Sequence, residues 1–337
     1  MAQRASAQVP RLGRLSVVIA NYNYEQYVGA AIESALALDW DDVEVVVVDD
    51  GSTDGSVEVI SSYADRVTVL VTENATQRVA ANRGYERCTG DVVVFLDSDD
   101  VLPAELPARL AEVFTPTVAK VQFQMQRIDG IGTPVGSPFP RYDPVPSADD
   151  IRRWALRTSA YPTPPGSGNA YARWFLDAIF PLVPEVGDAS DSACLAAAPF
   201  FGDVVTVPGT CVGYRRHDAN DSFLLADASR FRREVVRARA RWRFAQQAAG
   251  VPCDDRPLHR SRELLQLRVA ARRAGPEAPG LPGDGLRRLL VDTIRSPFHA
   301  GPDPIPHRLV VLVWCLATLA APRRWVGRLL TARYGRR

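Results

Sequence analysis

Short runs of apolar residues alternate with helical patterns over the first hundred residues. The runs predict strands over 15–20, 43–48, 67–71 and 91–96, and helices are predicted over about 25–38, 54–64 and 76–87. Continuous apolar strands separated by helices are typical of a parallel sheet covered on both faces. We therefore predict an α/β fold, a mostly parallel Rossmann-like sheet flanked by helices, whose strand C-termini share the edge where such sheets bind ligands.

Beyond residue 102 the pattern is less regular. A helix over 103–114 and a strand over 118–126 extend the α/β pattern, and further helices are predicted over 148–158 and 170–180. Residues 130–146 are rich in Gly and Pro and should form a long loop. A long loop near a sheet edge is more often functional than idle.

Charge divides the chain into two regions. Residues 1–221 carry 17 basic and 30 acidic side chains, a net charge of −13, whereas residues 222–337 carry 23 and 9, a net charge of +14. The second region is rich in Arg and has a helical pattern. We therefore predict an α/β domain over 12–221, with halves at 12–102 and 103–221, followed by an α-helical C-terminal extension.

The longest uncharged stretch lies near the C-terminus. Residues 309–322 contain no charge, but a spanning helix needs about 20 apolar residues, so a true span is the least favoured interpretation. Two others stay open. The stretch is either a buried helix of a C-terminal bundle or a shallow membrane anchor, supported by Trp314, Trp325 and the basic cluster over 323–337.

Cysteine usage indicates a reducing compartment. The five cysteines are scattered and have no C-x-x-C spacing, which argues against structural zinc and against a disulfide framework. The apolar run at 15–20 is too short for the core of a signal peptide. The sequence therefore predicts a cytoplasmic protein.

Acidic side chains follow the second predicted strand. Four consecutive Val residues end at Asp49 and Asp50, which open the sequence DDGSTDGS. Helix capping is the structural alternative, but Ser52, Thr53 or Asp54 could do it without them. At least one carboxylate of the pair is therefore predicted to contact a ligand at the sheet edge.

The fourth predicted strand also ends in acids, at Asp97, Asp99 and Asp100. Three carboxylates within four residues repel one another, which raises at least one pKa unless a cation or several donors neutralise them. Mg²⁺ and Mn²⁺ prefer oxygen ligands, commonly one or two carboxylates completed by substrate phosphates. An acidic turn before the next helix explains Asp100 but not Asp97, so we predict a Mn²⁺ or Mg²⁺ site held by Asp97 and Asp99.

Four segments, in order and spacing, resemble one protein family. They are SVVIANYNYEQY at 16–27, VDDGSTDGS at 48–56, NRGYERCTGD at 82–91 and FLDSDD at 95–100. Together they resemble the nucleotide-binding half of the family 2 glycosyltransferases, which have the A-type glycosyltransferase fold. The resemblance implies a hexosyltransferase that moves a sugar, with inversion, from a nucleotide diphosphate sugar to an acceptor hydroxyl, a UDP-sugar being the favoured donor.

The resemblance implies roles for individual residues. Asn23 and Glu25 correspond to the loop that meets the nucleotide, and Asp50 to the carboxylate that accepts from the base. Asp97 and Asp99 correspond to the D-x-D motif, which holds the metal and through it the pyrophosphate. The nucleotide-binding set so implied is Ala20, Asn21, Asn23, Glu25, Asp49, Asp50, Asn82, Asp97 and Ser98.

The chain also departs from the family's pattern. The family's segment usually reads Ala-Arg-Asn, but here it is Ala80, Ala81 and Asn82. The nearest Arg before this position is Arg78, three residues before Ala81, and it is the candidate to replace the missing guanidinium.

Residues 185–205 resemble the part of the family that carries the catalytic base. Asp191, at the head of a small-residue helix, is predicted to take the proton from the acceptor hydroxyl. Asp188 is the competitor, and either acid could instead cap the helix. In the later sequence YRRH, His217 matches the family's His and is predicted to bind the metal or a phosphate.

Other classes of function fit less well. A nicotinamide-dependent dehydrogenase needs a G-x-G-x-x-G turn after the first strand, and the sequence NYNYEQY there has no Gly. A nucleotidyltransferase that makes the nucleotide sugar typically opens with a Gly-rich, basic loop, which is not found. A non-catalytic nucleotide-sugar-binding protein of the same fold would not need the acids that are present.

The basic, Trp-containing C-terminal region suggests where the acceptor is met. We expect a glycan or lipid-linked acceptor in cell-surface polysaccharide synthesis, and peripheral contact with the cytoplasmic face of the inner (plasma) membrane. No nucleic-acid partner is predicted.

Overall fold

A seven-stranded sheet organises the first part of the chain in a computed structural model that describes residues 13–217, 228–275 and 280–335. The strands are β1 (Leu15–Asn21), β2 (Val43–Asp49), β3 (Thr68–Val71), β4 (Val92–Asp97), β5 (Val118–Ile128), β6 (Asn169–Ala172) and β7 (Asp203–Arg215). Their order is β3-β2-β1-β4-β6-β5-β7, and within this sheet β6 is antiparallel to both its neighbours. The mostly parallel α/β sheet predicted from the sequence is confirmed.

Helices connect these strands. Up to residue 201 they are α1 (Val28–Leu36), α2 (Ser56–Ser61), α3 (Gln77–Arg87), α4 (Leu106–Val113), α5 (Ala148–Thr158), α6 (Arg173–Asp177) and α7 (Asp191–Phe201). The predicted helix over 25–38 begins three residues later than expected. The loop after β1 delays it, because the backbone of Asn23 and Glu25 hydrogen-bonds to the loop after β2.

The strand register determines which edge of the sheet carries the acidic strand ends. β1 lies between β2 and β4, with Asn21 opposite Asp49 and Ala20 opposite Asp97. All three strands run parallel, so both acidic strand ends reach the same edge. α3 approaches the sheet closely, because a Cβ on Gly84 would lie 2.3 Å from a Val18 methyl carbon.

The helix predicted over 170–180 is wrong in its first part. Residues 169–172 form β6, and α6 begins only at Arg173. Small residues such as Ala favour helix locally, but the backbone of β6 pairs with residues 92–94 of β4 and 120–122 of β5. The ladder formed with two distant strands overrides the local preference.

The chain divides into two units. Among the described residues, the first contains 13–149, 163–184 and 188–217, and the second contains 150–162, 185–187 and the residues after 227. The predicted boundary after Asp221 lies outside the described residues.

The second unit is largely helical. Its C-terminal helices are α8 (Ala228–Ala248), α9 (Arg256–Arg260), α10 (Arg262–Ala274), α11 (Leu286–Arg295), α12 (Ile305–Ala320) and α13 (Arg323–Tyr334). This confirms the predicted helical C-terminal extension. None of the described helices combines the length and apolarity that crossing a membrane requires.

A buried ion-pair network joins α10, the loop before α11 and α11 itself. The Arg268 guanidinium is fully buried, and it donates to Asp284 and, at 2.7 Å, to Asp292. Asp292 also accepts from Arg288 at 3.0 Å. Removing the guanidinium would leave two buried carboxylates without their main partner.

We expect Arg268→Met to lower the free energy of unfolding by about 3–5 kcal/mol, because breaking one side of a buried ion pair strands the other. Urea denaturation followed by far-ultraviolet circular dichroism measures this loss. Arg256→Met is the matched control, since Arg256 pairs with Asp254 on the surface and should change stability by no more than about 1 kcal/mol. Equal losses in the two variants would contradict this account.

Candidate active site

Asp49 shapes the loop that follows β2. Its carboxylate is fully buried and accepts hydrogen bonds from the Asn21 amide at 2.8 Å, the Ser52 hydroxyl at 2.6 Å and the Ser52 N–H at 2.8 Å. Gly51 has a φ of 77°, and a Cβ there would lie 2.6 Å from the Asn74 nitrogen. Asn21 and Asp49 therefore hold the turn, and their nucleotide-binding role stays a prediction.

Asn23 and Glu25 join the loop after β1 to the loop after β2. Asn23 has a φ of 57°, and its side-chain oxygen accepts from the Thr53 N–H at 2.7 Å. The Glu25 carboxylate accepts from the Gly55 N–H at 2.6 Å. Both side chains are exposed, so the two predicted nucleotide residues lie on the surface of a single loop pair at the sheet edge.

Asp50 lies beside this loop pair. Both carboxylate oxygens are 3.1 Å from the Ala75 N–H, and the Arg83 guanidinium is 4.0 Å away. Burial raises the pKa of Asp50, while the Ala75 N–H and the charge of Arg83 oppose that rise. Of the two acids after β2, Asp50 is the one whose carboxylate is not enclosed by its own turn.

Asn82 holds a distant segment of the chain. Its side-chain NH₂ donates to the Leu182 carbonyl at 3.0 Å, and its oxygen accepts from the Leu182 N–H at 2.8 Å. Arg78 donates to the same carbonyl at 2.9 Å. Both side chains hold the segment around Leu182, and the nucleotide-binding role of Asn82 stays a prediction.

Asp97 ends β4 within a group of acids. Its carboxylate accepts from Gln77 at 2.8 Å, and its N–H donates to the Ser167 hydroxyl at 3.1 Å. Burial, then the charges of Asp99 and Asp191, raises the pKa of Asp97 to about 7. The acids therefore repel one another at this edge, as the sequence predicted.

Asp99 contacts His217, which lies at the C-terminal end of the described part of the first unit. His217 Nε2 lies 2.9 Å from an Asp99 carboxylate oxygen, and the imidazole stacks on Tyr27 with ring centroids 4.9 Å apart. The Arg215 guanidinium donates to the Asp99 carbonyl at 2.9 Å. β7 thus places the predicted His beside the D-x-D segment, 118 residues away in sequence.

Two other members of that segment are enclosed. Ser98 is buried at the end of β4. Asp100 accepts from the Arg215 N–H at 3.0 Å, while its second oxygen is buried without a hydrogen-bond partner among the described residues. Burial and the charges of Asp97 and Asp99 raise the pKa of Asp100 well above its usual value.

The donor set fits a metal that binds together with its substrate. Among the described residues, no three His, Cys, Asp or Glu side chains converge in the manner of a metal cage. Mg²⁺ and Mn²⁺ sites at phosphates need only one or two protein carboxylates, because the substrate completes the shell. Asp99, with His217 and the neighbouring Asp97, supplies oxygen and nitrogen donors of that kind.

Asp191 lies across a glycine from Asp97. A Cβ on Gly166 would be 3.4 Å from an Asp97 carboxylate oxygen and 3.6 Å from the Asp191 Cβ. Asp191 begins α7, and Ser190 occupies the N-cap position. Asp188 is exposed, and its carbonyl accepts from the Arg78 N–H. Of the two candidates for the base, Asp191 is the one beside the acidic group.

Lys120 is a site residue that sequence reasoning did not identify. Its ammonium is fully buried and donates to the Thr163 hydroxyl at 2.7 Å and to the Asn169 side-chain oxygen at 2.9 Å. The Asn169 NH₂ group in turn donates to the Pro165 and Gly166 carbonyls. The one available signal was that Lys120 is the only lysine in an Arg-rich chain.

Lys120 should titrate far from its usual range, because burial lowers its pKa well below 10.5. Isotopic labelling of lysine gives one side-chain NMR signal, which should titrate well below 10.5 and move back to that value in urea. The unfolded chain then binds a proton that the folded chain lacks, so stability should rise as pH increases toward 10.5. Lys120→Met should lose that increment, and an ordinary folded-state midpoint would contradict the burial.

Comparison with known proteins gives a consistent result. The Glycosyl transferase family 2 model matches residues 16–152. An uncharacterized glycosyltransferase of Nostoc sp. is 35% identical over 223 residues, which cover 64% of this chain and 69% of that protein.

Two solved structures share the fold. A mannosyltransferase from Pyrobaculum calidifontis, in complex with GDP-Man and Mn²⁺, aligns with a TM-score of 0.54 at 20% identity, covering 96% of this chain and 86% of that one. TarS from S. aureus, in complex with UDP-GlcNAc, aligns with a TM-score of 0.53 at 14% identity, covering 96% and 92%. At these identities the likeness concerns the fold, and it agrees with the expected A-type glycosyltransferase architecture.

Proposed function

Because the chain belongs to glycosyl transferase family 2, we propose that it transfers a sugar, with inversion, from a nucleotide diphosphate sugar to an acceptor hydroxyl. The observation that carries this proposal is that Asp97 lies beside two other acids, Asp99 and Asp191. Asp99 in turn contacts His217, so three separated parts of the first unit contribute to this edge of the sheet. A non-catalytic binding protein would have no need to keep these three acids near one another at the cost of mutual repulsion.

We propose that the donor lies over the loop pair after β1 and β2. Asp50 supplies a carboxylate for the base, while Asn21 and Asp49 keep the loop in shape beneath it. Asn23 and Glu25 then contribute the exposed surface of the loops. The fold relatives were solved with GDP-Man and UDP-GlcNAc, which supports a nucleotide-sugar donor, and we favour a UDP-hexose.

The diphosphate requires positive charge as the glycosidic bond breaks. Asp99 and His217, together with Asp97, would hold Mn²⁺ or Mg²⁺, which neutralises the leaving diphosphate when bound. Mn²⁺ accompanies GDP-Man in the Pyrobaculum relative.

Asp191 is proposed as the catalytic base. Its carboxylate takes the proton of the acceptor hydroxyl as that oxygen bonds to the anomeric carbon, while the bond from that carbon to the diphosphate oxygen breaks. Gly166 leaves the space between Asp191 and Asp97 free of a side chain. Lys120, acting through Asn169, fixes the loop that contains this glycine.

We further propose a glycan or lipid-linked acceptor in cell-surface polysaccharide synthesis, met by an enzyme bound peripherally at the cytoplasmic face of the membrane. The net charge of +14 over residues 222–337 supports attraction to an anionic leaflet.

Replacing the proposed base should separate binding from chemistry. We expect Asp191→Asn to lower nucleoside diphosphate release from UDP- or GDP-hexoses at least 100-fold, because general-base catalysis typically contributes about 10²–10⁴, while donor affinity is kept. Asp188→Asn is the matched control and should retain activity. Full activity in Asp191→Asn would remove this residue from its role.

Replacing the proposed metal ligand should act on binding itself. Titration calorimetry of the wild type with UDP and GDP should show affinity that increases on adding Mn²⁺, and Asp99→Asn should lose most of that increase. An unchanged Mn²⁺ effect in Asp99→Asn would refute the proposed ligand. Metal-independent binding of NAD by the wild type would refute the transferase assignment as a whole.

A further inference from the structure

α11 carries an exposed apolar stripe. Leu286, Leu290 and Ile294 are spaced four residues apart, so they lie along one side of the helix, and each is between 43% and 53% exposed. Leu289 and Thr293, on another side, are fully buried against the unit. The stripe is therefore a second apolar side that the described structure does not cover.

The neighbouring elements continue this exposure. Phe298, in the turn after α11, is 86% exposed, and α12 presents Ile305, Leu309 and Val313 at the same four-residue spacing. α11, α12 and the turn between them pack against one another. We call the exposed side chains of these three elements the apolar face. Soluble proteins seldom leave so many large apolar groups together in water unless they bind something.

The inner side of α12 packs within the helical unit. Val311, Cys315 and Thr318 are fully buried, as expected of a bundle helix. Trp314, which was expected to support an anchor, donates to the Leu329 carbonyl and packs against Tyr334. α12 is therefore a bundle helix with an apolar outer side, and Trp314 belongs to its packed side.

Most charged residues in the segment that carries the apolar face are basic. Residues 286–335 contain eight Arg and two acids, Asp292 and Asp303. Both acids are held by arginines within the unit, at 2.7 Å from Arg268 and 2.6 Å from Arg262. The segment that carries the face therefore has a net positive charge.

We propose that the apolar face docks on a bilayer containing anionic lipid, with Phe298 and Ile305 entering the boundary between headgroups and acyl chains. This deepens the membrane location of the proposed function and rests on it. Apolar side chains enter that boundary while Arg meets the lipid phosphates. A second copy of the chain is a poorer occupant, because a twofold interface would bring the same arginines face to face.

Vesicle co-sedimentation tests the proposal. The wild type should sediment with vesicles containing phosphatidylglycerol, and the affinity should fall with added salt and on vesicles of phosphatidylcholine alone. Ile294→Ser/Phe298→Ser/Val313→Ser should abolish sedimentation. The matched control is Ile131→Ser, which removes an apolar side chain that is 91% exposed in the first unit and should bind as the wild type does.

Charge is tested separately. Arg323→Gln/Arg324→Gln should weaken binding to the anionic vesicles by about 25-fold, since each basic residue near such a surface contributes about fivefold. Unchanged binding of the triple serine variant would overturn the proposal. So would a wild-type dimer in sedimentation velocity that the same variant dissociates, because that result identifies a second copy as the occupant.

Nucleotide binding separates this proposal from the one on which it rests. The triple variant should keep its circular dichroism and its Mn²⁺-dependent affinity for UDP or GDP. Vesicle binding without any nucleotide binding in the wild type would refute the transferase and leave the docking surface. Nucleotide binding without vesicle binding would refute the docking surface alone.

Discussion

Repulsion between carboxylates at one sheet edge is the constraint on which the first unit depends. β1 aligns with β2 and β4 in parallel register, so their acidic ends arrive together, and burial prevents water from screening them. Few hydrogen-bond donors offset this repulsion. Asp49 receives hydrogen bonds from its own turn, and Asp97 receives one from Gln77, but the pKa of Asp97 still rises to about 7. We propose that this unbalanced charge suits the edge to a cationic or metal-bound ligand.

Other residues near this edge support the structure around the proposed site. Asn21 holds the turn after β2, and Asn82 holds the segment around Leu182. Lys120 holds the loop between Asp97 and Asp191 from inside the fold. Burying a lysine costs free energy of folding and lowers its pKa. That cost is reasonable where the lysine fixes backbone that the chemistry requires. We therefore propose that the residues implied by the resemblance divide into some that meet the ligand and others that shape its surroundings.

The helical second unit follows a different logic. A buried guanidinium with two carboxylates stabilises its interior, while its outer side combines apolar residues with arginine. Such an outer side would be a liability in a protein with no partner, because exposed apolar surface favours aggregation. A membrane surface satisfies both features at once.

The sequence by itself determined the strand and helix alternation of the first hundred residues, the acidic strand ends and the helical C-terminal region, because these depend on periodicity and on residue type. It did not determine β6, whose Ala-rich backbone is a strand only because β4 and β5 lie on either side. Nor did it determine the contact of His217 with Asp99, the nearness of Asp191 to Asp97, or the burial of Lys120. Each joins residues far apart in the chain, and only the tertiary packing of the sheet decides which of them meet.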